Sequence, residues 1–300
     1  MQLHGSITAL ATPFTASGAL DPGAWHGLLE AQLAGGIQGL VVAGSTGEAA
    51  MLSDTEFVEL IRAAVEQVGG RVPVLAGAGL SGTARTIDQC RLACDAGADA
   101  LLVVTPPYVR PTQDGLRRHF EAVADAVERP VVLYNVPPRT GVDLLPETVA
   151  ALAPHPNIAG IKEAVADIER IRALLPLRGP QFALFTGDDG TACAAQLAGA
   201  DGVISVVANV VPAAFTAMGD LARARQTEAA QALDAELAPL SAAMALEPNP
   251  IPVKAILAGL GLCQDSLRLP LLPLSSRHRA AAHATLERIA RLEARHAPAQ

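Results

Sequence analysis

The sequence predicts an α/β protein, a (β/α)8 barrel of the TIM type with a C-terminal helical appendage. Three observations carry that prediction. Eight short apolar, β-branched runs alternate with longer amphipathic ones. The runs begin roughly 20–35 residues apart, the spacing of a strand followed by a helix. The residues with chemistry to offer cluster just past the strand ends, where a barrel of this kind gathers its βα loops.

The strands are expected at Ser6–Ala11, Gly39–Ala43, Val72–Ala76, Ala100–Val104, Val131–Tyr134, Ile158–Lys162, Ala183–Thr186 and Gly202–Val206. Helical periodicity covers Pro22–Leu33, Asp54–Val68, Thr83–Ala96, Gln113–Val127, Pro146–Leu152, Asp167–Leu175 and Gly190–Ala198. Start signals support these bounds: Ser53 or Asp54 can cap the second helix, and Pro146 stands where a first-turn proline belongs. Ala-Gly-Ala-Asp occurs twice, at 96–99 and 198–201, each time as a helix end turning into a strand. Beyond about residue 212, Ala214–Leu237 and Arg277–Arg295 read as helices with no strand between them. The barrel is therefore expected over 1–225 and a C-terminal helical region over 226–300.

Composition sets the bounds on function. Half of the 300 residues are apolar and 17% are charged, which suits a large buried core. The net charge of −8, with no basic stripe, argues against nucleic-acid binding. No apolar run approaches the length of a spanning helix, and Met1-Gln-Leu-His-Gly5 lacks the marks of a signal peptide, so no membrane partner and a cytoplasmic location are expected. Cys90, Cys94, Cys193 and Cys263 form no Cys-x-x-Cys pair and read as buried thiols. His278 and His283, five apart, do not share a helix face, so no metal site is expected. Gly77-Ala-Gly-Leu-Ser-Gly82 matches the dinucleotide fingerprint, but it forms the third βα turn rather than the first. No cofactor is expected.

The strongest chemical signal is Lys162, at the end of Asn157-Ile-Ala-Gly-Ile-Lys162. Lys and Arg together number 22, yet only Lys162 and Lys254 are lysines. An amine retained in an Arg-rich chain suggests chemistry a guanidinium cannot do, namely losing a proton and attacking a carbonyl. A strand-end lysine reaching water is the plainer alternative. The neighbours favour the first. Tyr108 and Tyr134, the chain's only tyrosines, stand at strand ends on the same face, as does the Ser45 hydroxyl. A phenol can shuttle protons while a carbinolamine loses water, although isolated tyrosines also serve as packing residues. The turn Gly44-Ser-Thr-Gly47 offers backbone N–H groups to a small carboxylate. Arg139, in Pro137-Pro-Arg-Thr-Gly141, can grip a second one. Glu48 and Glu163 are candidate acids or bases, or else complements to a helix dipole.

These segments resemble the dihydrodipicolinate synthase family, pyruvate-dependent class I aldolases that include N-acetylneuraminate lyase. The likeness rests on Leu10-Ala-Thr-Pro13, Gly44-Ser-Thr-Gly-Glu48, Val104-Thr-Pro-Pro-Tyr108, Tyr134-Asn-Val-Pro-Pro-Arg-Thr-Gly141, Gly160-Ile-Lys-Glu-Ala164, Ser205-Val-Val-Ala-Asn209 and Glu247-Pro-Asn-Pro-Ile-Pro-Val-Lys254, and it spans nearly the whole chain. The resemblance implies a Schiff base between Lys162 and pyruvate. Tyr134 passes protons, and Ser45 and Tyr108 complete the relay, with Tyr108 reaching the site of a neighbouring subunit. The N–H groups of Ser45 and Thr46 hold the pyruvate carboxylate, while Ile204 lines the pocket and Gly187 belongs to the substrate site. Arg139 binds the carboxylate of L-aspartate 4-semialdehyde, the second substrate of a step in lysine biosynthesis. A homotetramer, a dimer of dimers, is implied.

Two departures stand out. The relay hydroxyl is Ser45 where the synthases usually carry Thr, which leaves open a paralogous aldolase for a sugar acid such as N-acetylneuraminate or 2-keto-3-deoxygluconate. The positions matching the family's lysine feedback site read Arg85, Ser81, Phe57 and Pro107. Arg85 puts a cation where an effector ammonium needs an anion, a repulsion on the order of a few kcal/mol, so insensitivity to L-lysine is expected. A barrel that binds without catalysis is the third possibility, and no member of the constellation is missing to support it.

Overall fold

In a computed structural model of the chain, which describes residues 3–298, eight parallel strands close into one barrel in sequence order. They are β1 Gly5–Ala9, β2 Gly39–Val42, β3 Val74–Ala78, β4 Ala100–Val104, β5 Val131–Asn135, β6 Ile158–Glu163, β7 Ala183–Thr186 and β8 Gly202–Ser205. Helices α1 Pro22–Ala34, α2 Asp54–Val68, α3 Thr83–Asp95 and α4 Gln113–Asp125 follow the first four strands. The short α5 Pro137–Thr140 and α6 Pro146–Leu152 follow β5, and then come α7 Ile168–Leu174, α8 Ala192–Ala198 and α9 Pro212–Arg223. The C-terminal helices are α10 Thr227–Met244, α11 Ile251–Gly259, α12 Ser276–His283 and α13 Leu286–His296. Met1 and Gln2, part of the N-terminal stretch read above, lie outside the described residues, as do Ala299 and Gln300.

Side-chain alternation along the strands divides the apolar residues into two layers. Ile7, Val41, Leu75, Leu102, Val132, Tyr134, Phe185 and Ile204 fill the barrel interior. Val42, Val103, Leu133, Ile161 and Leu184 face outward against the helices. Local chemistry holds the frame. Ser53 caps α2 in a reciprocal capping box with Glu56. The repeated Ala-Gly-Ala-Asp segment places an aspartate beside the neighbouring strand each time: Asp99 accepts from the Val74 N–H at 2.9 Å, and Asp201 from the Leu184 N–H at 2.9 Å. Asn209 seals the seam between β8 and β1, donating to Ala9 O and accepting from the Ala11 N–H.

Four expectations need correction. The third strand begins at Val74, two residues later than expected, because Pro73 has no N–H for the ladder. Ala214–Leu237 is two helices, broken at residues 224–226, where Arg225 adopts a left-handed φ of 58°. Arg277–Arg295 is likewise divided, into α12 and α13. Only Cys90 and Cys193 are buried; Cys94 and Cys263 are partly exposed, and all four are free. One core is continuous from the barrel wall through Leu233, Leu240, Val253 and Ile289 of the C-terminal helices.

Candidate active site

The interior face of β5 and β6 carries the central pair. Tyr134 and Lys162 are register partners on adjacent strands, so alternation turns both side chains into the barrel. Lys162 is only 4% exposed, and its Nζ lies 4.5 Å from the centre of the Tyr134 ring. Among the described residues it forms no ion pair. The same register places Phe185 beside Lys162 on β7. Ile204 is fully buried in the same interior layer. A Cβ at Gly187 would stand 2.7 Å from Lys162 Cε, so glycine there keeps a channel open for the lysine stem.

The turn after β2 lies at the same end of the barrel. Thr46 is buried and Ser45 half-buried. Their N–H groups find no partner among the described residues, while the Glu48 N–H donates to Ser45 O at 3.3 Å and the Ala49 N–H to Gly44 O at 3.3 Å. Gly77, from the apparent dinucleotide motif, explains part of that turn's placement. A Cβ there would lie 2.5 Å from Ala43 O and 2.6 Å from Gly44 Cα. The glycine lets β3 approach the turn, which is a packing role.

The two candidate glutamates leave the acid–base list. Glu163 sits on the outer side of β6, one residue from Lys162 and on the opposite face. It accepts from Asn135 Nδ2 at 3.0 Å, the Val165 N–H at 2.8 Å and Arg170 at 3.3 Å. Asp143 joins this group through Asn135 at 2.7 Å and Arg170. Burial raises the Glu163 carboxyl above its ordinary range, and the Asn135 hydrogen bond opposes that. The Arg170 hydrogen bond holds Asp143 below its own. The cluster ties β5 to β6 directly behind Tyr134 and Lys162. Glu48 complements no helix dipole: it is fully buried against Lys254, with Oε1 and Nζ 2.6 Å apart.

Arg139, exposed on the short α5, donates to Asn249 O at 2.9 Å. Tyr108 does not approach Lys162 within one chain. It is 90% exposed, with φ at 74°, and its N–H donates to Thr140 O at 3.2 Å. At the positions read as a feedback site, Arg85 is exposed and forms no ion pair among the described residues, Ser81 donates to Pro107 O, and Phe57 is buried.

Asp189 and Asn249 were missed. Asp189 Oδ2 accepts from the N–H groups of Val206 and Val207, each at 3.0 Å, and its Oδ1 has no partner. Burial raises this carboxyl, opposed by those hydrogen bonds, by Ser205 and by the Lys162 charge. Asn249 Nδ2 donates to Thr46 Oγ1 at 2.9 Å. No spacing signal in the sequence links residue 249 to residue 46.

The chain is similar to known proteins over nearly its whole length. A model of the dihydrodipicolinate synthetase family matches residues 2–289. A 4-hydroxy-tetrahydrodipicolinate synthase of Stenotrophomonas maltophilia (strain K279a) is 60% identical over 294 residues, 98% of this chain and 99% of that protein. One from Xanthomonas campestris pv. campestris is 60% identical over 98% of this chain and 97% of its own. The crystal structure of the chloride-inhibited dihydrodipicolinate synthase of Acinetobacter baumannii, complexed with pyruvate, superposes with a TM-score of 0.94 at 41% identity, covering 96% of this chain and 99% of that one. That of Thermotoga maritima gives 0.94 at 37%, covering 97% and 99%.

Proposed function

The chain belongs to the dihydrodipicolinate synthetase family, and on that premise we propose that it condenses pyruvate with L-aspartate 4-semialdehyde, the activity of a 4-hydroxy-tetrahydrodipicolinate synthase. The observation that carries the reading is the Lys162 amine, inside the barrel, over the Tyr134 ring and without a carboxylate partner among the described residues. Its nitrogen attacks C2 of pyruvate, the carbinolamine loses water, and an imine remains. Loss of a C3 proton gives the enamine, whose carbon attacks the aldehyde. Closure by the substrate's own amino group displaces Lys162 and frees the product. Tyr134 carries the protons, with the hydroxyl of Ser45.

The unpartnered N–H groups of Ser45 and Thr46 suit the pyruvate carboxylate, Ile204 walls the pocket, and Gly187 leaves room for the lysine stem. Arg139, braced by Asn249, holds the semialdehyde carboxylate. Tyr108 completes the relay from a neighbouring copy in a homotetramer, a reading supported by its exposure and its strained φ. Among the described residues no helix is long and apolar enough to cross a membrane, and we place the enzyme in the cytoplasm. Relatives at 60% identity bear the synthase name, which favours condensation over cleavage of a sugar acid.

Borohydride reduction with pyruvate, followed by peptide mass spectrometry, tests the chemistry. The adduct is expected on Lys162; no adduct, or one on Lys254, defeats the mechanism. A coupled assay comparing the semialdehyde with N-acetylneuraminate and 2-keto-3-deoxygluconate tests the substrate. We also expect no inhibition by L-lysine, and half-inhibition at submillimolar lysine refutes that.

A further inference from the structure

The most completely buried ion pair among the described residues lies next to the turn that we assign to the pyruvate carboxylate, and the mechanism above makes no use of it. Lys254 and Glu48 both have fully buried side chains. Glu48 closes the Gly44–Glu48 turn and holds a left-handed φ of 55°, a conformation unfavourable for any residue with a Cβ. Its second oxygen accepts from the Arg268 N–H at 3.0 Å. Lys254 Nζ also lies 4.4 Å from the centre of the Phe14 ring. From the same C-terminal segment, Asn249 reaches Thr46 Oγ1 at 2.9 Å, and its carbonyl holds Arg139 at 2.9 Å. The six residues Asn249–Lys254 therefore touch both carboxylate-binding features, the turn and the arginine.

We propose that Lys254 and Glu48 are positioning residues that fix the Gly44–Glu48 turn, so that the Ser45 and Thr46 N–H groups converge on a keto-acid carboxylate. The inference rests on the assignment of that turn to pyruvate. A buried carboxylate at a strained backbone position has its orientation set by its partners. Lys254 supplies a cation from α11, on the far side of the turn, and Arg268 N–H supplies the second contact. The torsion at Glu48 is thereby held against relaxation, and Asn249 fixes the Thr46 side chain between the two ends of the turn. The C-terminal region thus shapes the substrate site without touching the reacting atoms.

The test compares wild type with Lys254→Met, Glu48→Gln, the double variant, and Leu237→Ala as a destabilised control in the core of α10. Thermal unfolding, the pyruvate dependence of borohydride trapping, and steady-state kinetics are measured on each. In Lys254→Met and the double variant, the pyruvate concentration for half-maximal trapping rises about tenfold or more. Trapping at saturating pyruvate and the KM for the semialdehyde change less than about threefold, the pattern of lost ground-state binding. Leu237→Ala keeps the wild-type pyruvate dependence despite its lower Tm. If Lys254→Met does not fold, the double variant carries the test, because it removes both charges at similar volume. Half-trapping within twofold of wild type in the double variant overturns the proposal, as does an equal rise in Leu237→Ala. No trapping by the wild-type protein would instead defeat the imine reading on which the proposal rests.

Discussion

Lys162 and Lys254 are both buried and both lie over an aromatic ring, Tyr134 and Phe14 respectively, but among the described residues only Lys254 is ion-paired with a carboxylate. The Lys254 ammonium is held 2.6 Å from Glu48, in a pocket closed by Arg268. Burial pushes its pKa below the ordinary lysine range, and the Glu48 charge opposes that shift. A cation so held has its nitrogen committed to a partner and no room for a carbonyl. Lys162 has a phenol ring, Gly187 beside its stem and no ion pair among the described residues; the buried Asp189 carboxylate that feels its charge is held instead by the Val206 and Val207 N–H groups. Burial alone therefore does not distinguish a reactive lysine from a structural one; the partner does.

The largest effect that tests this contrast is Lys162→Arg. The guanidinium keeps the charge and cannot form an imine, so trapping is abolished and turnover falls roughly a thousandfold or more. Tm is expected to move little, because Lys162 holds no ion pair among the described residues. If Lys162→Arg traps pyruvate as wild type does, the roles assigned to the two lysines are wrong.

Lys254→Met should invert the pattern. It leaves the Glu48 carboxylate buried without its cation, which costs about 3–5 kcal/mol by the usual behaviour of broken buried pairs. Adding Glu48→Gln should recover much of that loss, and urea unfolding of the two variants measures it. Saturating pyruvate should still be trapped in both. Equal stability of Lys254→Met and wild type would show that the pair is not the buried contact it is taken to be.

Arg139→Ala sharpens the comparison at the other carboxylate. Loss of charge-assisted hydrogen bonds worth about 1.5–3 kcal/mol should raise the KM for the semialdehyde about 10–100-fold. Pyruvate trapping should stay as it is, since Arg139 is braced by Asn249 O and not by the Gly44–Glu48 turn. A matching loss for pyruvate would mean that the two carboxylate sites are one.

The placement of Lys162 inside the barrel was legible in the sequence and the pairing of Lys254 was not, for physical reasons. Lys162 ends an apolar run whose two-residue period fixes which way it points, and the same period in Val131–Tyr134 fixes Tyr134. Lys254 pairs with a residue 206 positions away, and no local pattern encodes such a contact. Helix α11 begins at Ile251, inside the proline-rich run Pro248–Pro252; Pro252 suits its first turn, but Pro248 and Pro250 just before it make the whole run read as a loop. The break at 224–226 lacks both proline and glycine, so the continuous apolar pattern on either side reads as one helix. Glu163 looked like an acid beside the lysine in sequence, and pleating put it on the opposite side of the sheet.

The smallest effect concerns Arg268, which covers the Phe14 ring together with Lys254 and supports Glu48 through its backbone. Its guanidinium also pairs with Glu56, and hydrogen bonding to Arg268 holds that carboxyl at about 2, below its ordinary 4.5. In the unfolded chain the ordinary value applies, so between about pH 4.5 and about 2 the unfolded state binds more protons. The pair's contribution is complete above that window and is lost as the pH falls through about 2. Both side chains are partly exposed, and solvent screening reduces the effect to about 1 kcal/mol. Glu56→Gln keeps an oxygen for the Ser53 N–H, so the α2 cap survives while the charge goes. The stability gap between wild type and Glu56→Gln should be about 1 kcal/mol at neutral pH and close to zero near pH 2. A gap that does not change with pH would show that Arg268 is held by Gly18 O and Met51 O, with Glu56 contributing only its shape.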